Sequence, residues 1–183
     1  AYRQVLRELA DLGVGMAVAN LPDVTHVPAL RRAAGEVTSC RRGDGTITPV
    51  DEADLLSLDL DAGLLPTPPC NEVLDADERL QIRATVMAFN AEISAAIAEL
   101  EQTGAEIAVV DVFARLGELA RDGFDVRGDG TMVLDTRYLG GIFSLDGVHP
   151  TRTGHAIIAN TFIDAIDARF GESIPPVDVQ RVA

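Results

Sequence analysis

Lysine is missing from this 183-residue chain: all 15 of its basic residues are arginine, against 29 Asp and Glu, for a net charge of −14. So acidic a surface repels phosphate backbones and anionic membranes, which excludes nucleic-acid binding unless the arginines cluster strongly. No apolar run approaches the length that spans a bilayer, so no transmembrane segment is expected. Cysteine is represented only by Cys40 and Cys70, and their spacing leaves a free pair and a bridge equally open. Histidine is represented only by His26, His149 and His155. A zinc reading would join Asp146, His149 and His155, but no matching carboxylate motif accompanies them; neither metal nor cofactor is expected. Serine occurs five times, as Ser39, Ser57, Ser94, Ser144 and Ser173. None has the flanking glycine of a tight strand-to-helix nucleophile turn.

What is present suffices for one domain with a core, since 47% of residues are hydrophobic. Val5, Leu6, Leu9 and Leu12 recur at helical spacing, and Gly13 ends that helix. Residues 13–19 and 105–111 are short apolar runs of the kind found in parallel strands covered on both faces. Between them Leu80, Ile82, Val86, Phe89, Ile93, Ile97 and Leu100 mark one side of a long helix, capped by Asp75 or Asp77 and ended by Gly104. Asp111 reads as the cap of the next helix, and Met132–Leu134 as a short edge strand. A last helix carries Ile157, Ile158, Phe162, Ile163 and Ile166 toward the core, and Pro175-Pro176 ends the ordered part. This alternation predicts an α/β fold of three layers, a parallel sheet flanked by helices.

Residues 31–75 break the rhythm. Arg31, Arg32, Arg41 and Arg42 surround Cys40. An acidic stretch with Leu55, Leu56, Leu58 and Leu60 follows, up to Pro66, Pro68 and Pro69. So long a connection reads as an insertion, a lid or substrate wall. Arg42–Thr46 reads as a turn, because the liganding pattern of a calcium loop is absent.

The chemistry concentrates in Phe143–His155. Asp146 precedes His149 by three residues, so one turn can bring its carboxylate onto one ring nitrogen and leave the other outward as a base. Pro150 bars a helix through His149, and Thr151 is a good N-cap for a helix from Arg152. Asp146-Gly147-Val148-His149-Pro150-Thr151, with Gly154-His155, resembles the last motif block of the SGNH or GDSL-type serine esterases and lipases. Val18–Thr25 resembles a strand and exit loop of that fold, Phe89–Ile93 its following helix, and Asp111–Phe113 the next strand end.

The resemblance implies a flavodoxin-like topology, with residues 1–30 and 76–172 as its second half and 173–183 as a tail. It implies ester hydrolysis with Asp146 and His149 as catalytic acid and base, and with Asn20, Asp23 and His26 as candidate lining. Asp23 reads first as a loop-capping residue and His26 as a loop histidine. The family's Gly-Asp-Ser nucleophile and its oxyanion-hole glycine and asparagine precede the matched region and are not found, so the N-terminal part of the fold is expected to be missing. The chain would then need its upstream segment or another chain to complete the sheet. The expected substrate is a small-molecule or lipid ester, the apolar central segment favouring acyl groups over sugars. The alternative is a non-catalytic remnant or binding module with the same half-fold.

Overall fold

A computed structural model describes residues 1–33, 37–57 and 67–183. In chain order its elements are α1 (Tyr2–Ala10), β1 (Met16–Ala19), β2 (Leu30–Arg32), β3 (Ser39–Arg41), β4 (Ile47–Pro49), β5 (Leu55–Ser57) and β6 (Val73–Leu74). There follow α2 (Ala76–Gln102), β7 (Ile107–Val110), α3 (Val112–Asp122), β8 (Phe124–Asp125), β9 (Val133–Leu134), α4 (Arg152–Phe170) and α5 (Val179–Val182).

The two apolar runs form a parallel pair, β1 on β7, in register from Met16 opposite Ile107 to Ala19 opposite Val110. The chain is therefore mixed α/β with a parallel sheet of two strands among the described residues. Leu6 of α1 and Ile93, Ile97 and Leu100 of α2 pack on Met16, Val18 and Ile107, while α4 packs along β7. The amide of Met16 donates to Glu106 O at 3.0 Å and that of Asn20 to Val110 O at 3.2 Å. This phase turns alternate peptide groups, at Ala17 and Ala19, away from β7 toward an edge unpaired among the described residues.

Apolar cover is incomplete in the same region. Of the stripe predicted on α1 only Leu6 is buried, while Val5, Leu9 and Leu12 are 53, 43 and 69% exposed. Leu80 and Phe89, expected on the core side of α2, are also exposed. Helical spacing aligns these side chains but cannot supply the surface that would cover them. The caps agree with the spacing: Asp75 accepts from the Glu78 amide at 2.8 Å and the Glu78 carboxylate from the Asp75 amide at 3.1 Å, a reciprocal capping box.

The 31–75 insertion builds structure of its own. β2, β5 and β6 form one antiparallel sheet, and β3 and β4 a hairpin closed by the turn at Asp44-Gly45. Cys40 and Cys70 are joined in a disulfide, with their Cα atoms 4.9 Å apart. Cys40 packs with Ala33, Val37, Leu56 and Val73 in a small core. Leu58, Leu60 and Pro66 of the expected wall lie outside the described residues.

The C-terminal segment departs from expectation, because order does not end at Pro175-Pro176. α4 stops at Gly171 in the left-handed conformation, and the chain then returns as α5. Both polar atoms of the Asn160 amide grip the Val177 backbone, at 2.7 and 3.0 Å. Val179 is buried with Leu116, Leu119, Ile142 and Ile157. The prolines bar helix but leave a following residue free to fill a core position.

Candidate active site

Buried Ile142 and Phe143 carry the chain into the Asp146 loop. The loop is closed at its base, where Ser144 N donates to His149 O at 2.8 Å and Thr151 N to Ile142 O at 2.9 Å. Its tip is pinned to the exit of β1, because Ala29 N donates to Gly147 O at 2.8 Å. Gly147 has φ +70°, and a Cβ there would lie 2.6 Å from Ala29 N, so both conformation and space require glycine. Thr151 caps α4 as its sequence position suggests, its hydroxyl accepting from Gly154 N at 3.1 Å and donating to Gly141 O at 2.8 Å. Gly154 lets the first turn of α4 lie on the Ile142 carbonyl, 2.3 Å from where a Cβ would stand.

Within this frame Asp146 is surrounded by donors. Its Oδ1 accepts from Ser144 Oγ at 2.6 Å and from the amides of Val148 and His149 at 2.9 Å each; its Oδ2 lies 2.6 Å from His149 Nδ1. The Ser144 hydroxyl, then the Val148 amide and the two His149 donors, hold the Asp146 carboxyl well below the usual carboxylate range. An ionised Asp146 fixes the proton on Nδ1 and leaves Nε2 free of hydrogen bonds among the described residues, on a side chain 78% exposed. The Ser144 hydroxyl is committed to Asp146, on the wrong side of the dyad for a nucleophile.

The low folded pKa has a sign. Against an unfolded value of about 3.9, ionisation of Asp146 contributes stability fully present above about pH 4 and lost only as pH falls through the lower folded value. Carboxyl-carbon NMR should therefore find Asp146 still ionised at about pH 3, where an ordinary aspartate is largely protonated. A titration midpoint near 4 would contradict the four-donor arrangement.

The other expected site residues are placed differently. The Asn20 side chain donates to Asp111 Oδ1 at 2.7 Å and accepts from Phe113 N at 2.9 Å, which spends its amide on tying the ends of β1 and β7 to α3. Asp111 caps α3, accepting from Ala114 N at 2.9 Å. Asp23 is 1% exposed, and its Oδ1 accepts from Thr25 N at 3.1 Å and Thr25 Oγ1 at 2.6 Å, the capping role that its position suggests. His26 lines a cleft. His155 turns back on its own helix, Nδ1 lying 2.9 Å from Thr151 O. Among the described residues no group of His, Cys, Asp and Glu is placed to hold a metal ion. Arg79 and Arg83, which line the same cleft as His26, were not singled out by the sequence. Their one signal is the four-residue spacing that puts both on one face of α2. No family model matches the chain, and no curated protein or solved structure matches it.

Proposed function

We propose that this chain carries the acid and base half of an SGNH-type serine ester hydrolase, within a three-layer α/β fold completed by a segment pairing on the open edge of β1. The observation that carries the reading is the 2.6 Å contact between Asp146 and His149 with Nε2 facing outward. In the reaction a serine from the completing segment attacks the ester carbonyl carbon and passes its hydroxyl proton to Nε2. The imidazolium, stabilised by Asp146, returns that proton to the departing alkoxide as the carbon–oxygen bond breaks. Water, deprotonated by the same nitrogen, then attacks the acyl carbon, and as the bond to the serine oxygen breaks that oxygen takes the proton back and the acid is released. Small-molecule or lipid esters are the substrate class. The Cys40–Cys70 bridge suits an oxidising compartment.

The test is to express the chain alone and together with a Gly-Asp-Ser-bearing segment encoded upstream in its reading frame. Fluorophosphonate labelling and hydrolysis of a short aryl ester are then measured. The chain alone is expected to show neither, because it lacks nucleophile and oxyanion donors; the pair is expected to label one to one. Stoichiometric labelling of any of the five serines in the chain alone, or an inert pair, would refute the reading. The second reading, a binding module, draws support from one observation, the arginine-lined cleft beside His26.

A further inference from the structure

Four arginines, Arg32, Arg79, Arg83 and Arg137, line one cleft of about 790 Å³ together with His26; among the described residues no carboxylate lines it, although Arg137 is paired with Asp135 and Arg83 with Asp23. Acids outnumber arginines 29 to 15 in this chain, so such a surface runs against its overall charge and marks a local preference for anions. Three buried side-chain atoms have no hydrogen-bond partner among the described residues: Asp23 Oδ2, His26 Nδ1 and Arg79 Nε. All three belong to this place. Arg79 and His26 form the wall. Asp23 stands behind Arg83, its Oδ2 3.5 Å from Arg83 Nε, an ion pair too long for a hydrogen bond. Arg83 also lies over the Phe113 ring, 5.7 Å from its centroid, which restrains the guanidinium at the cleft.

A buried Nε–H without an acceptor is costly unless something with lone pairs arrives, and a guanidinium fork matches the paired oxygens of a carboxylate or phosphate. Apart from Thr25, Thr136 and the Tyr138 hydroxyl, the remaining wall is apolar. Leu80, 64% exposed, and Tyr138, 43% exposed, stand with Val27, Leu30 and Leu55 around the same space. The cleft is of the size that takes small organic ligands, and a chain of net charge −14 is unsuited to a polyanion.

We infer that this cleft binds a small organic oxyanion. Its carboxylate or phosphate head sits on Arg79 and Arg83, and its apolar body lies against Leu80 and Tyr138. The wall from Thr25 to Pro28 runs directly into Ala29, which holds Gly147, so the ligand sits beside the Asp146 loop. Binding requires neither His149 nor a serine and stands independently of the esterase reading.

The test uses the purified chain with benzoate, phenyl phosphate and the uncharged benzyl alcohol, followed by calorimetry and by the arginine Nε–Hε resonances in NMR. Both anions are expected to bind at least about tenfold more tightly than the alcohol and to shift the Arg79 and Arg83 signals. The tighter of the two identifies the head group. Arg79→Gln, with its fold checked by circular dichroism, should weaken the anions by about tenfold or more. Arg137→Gln, at an 88% exposed side chain, removes the guanidinium that pairs with Asp135 and leaves that carboxylate uncompensated beside the cleft, so it should weaken them a few-fold. Equal binding of alcohol and anions, unmoved Nε resonances, or affinities that survive in both variants would overturn the inference. If Arg79→Gln does not fold, Arg137→Gln and the resonances of the unaltered chain decide it.

Discussion

In the hydrolase proposed above, once completed, His149→Ala is expected to lower ester turnover by about 10⁴- to 10⁶-fold, the range set by loss of a triad base. The side chain is mostly exposed and its contacts are confined to the Asp146 loop, so the fold should persist. Asp146→Asn is the more discriminating variant. An asparagine can keep its oxygen at the Oδ1 position, where Ser144, Val148 and His149 donate, and so preserve the loop. Its NH₂ then faces Nδ1, forcing that nitrogen to accept and moving the proton to Nε2. The imidazole is held in the wrong tautomer, and turnover should fall about 10⁴-fold with melting temperature little changed. Steady-state hydrolysis of a short aryl ester measures both, and near-normal rates in either variant would end the assignment of His149 as base.

Replacing both cysteines, Cys40→Ser with Cys70→Ser, is expected to cost about 3 to 4 kcal/mol, the loop-closure value for a separation of about 30 residues. The region has little else to hold it. Its strands are two or three residues long, and its buried cluster is Ala33, Val37, Cys40, Leu56 and Val73. The loss should be local. Hydrogen exchange is expected to rise across β2 to β6, while α2, α4 and the β1–β7 pair, whose contacts lie elsewhere, keep their protection. Urea melts with and without reductant give the magnitude, and identical midpoints would show that the bridge adds nothing to stability.

The features legible in the sequence are those whose partners lie within about four residues. The Asp146–His149 contact, the Thr151 cap, a cap at Asp75, one of the two aspartates the sequence offers, and the cap at Asp111 are each set by a side chain reaching its own turn. The two parallel strands were also visible, because burial on both faces leaves an uninterrupted apolar run.

Everything that depends on distant chain crossings waited for the fold. Asn20 meets Asp111 and Phe113 across more than 90 positions, and Cys40 finds Cys70 because β3 and the turn before β6 converge. α5 fills a core position that two prolines seemed to rule out. Helical spacing marked the apolar stripe of α1, but only the packed structure decided that Leu6 alone is covered. Four arginines scattered from residue 32 to 137 became one surface when α2 was laid against the exit of β1. Spacing encodes which side chains share a face; what that face meets is decided by packing between segments far apart in the chain, which no local pattern records.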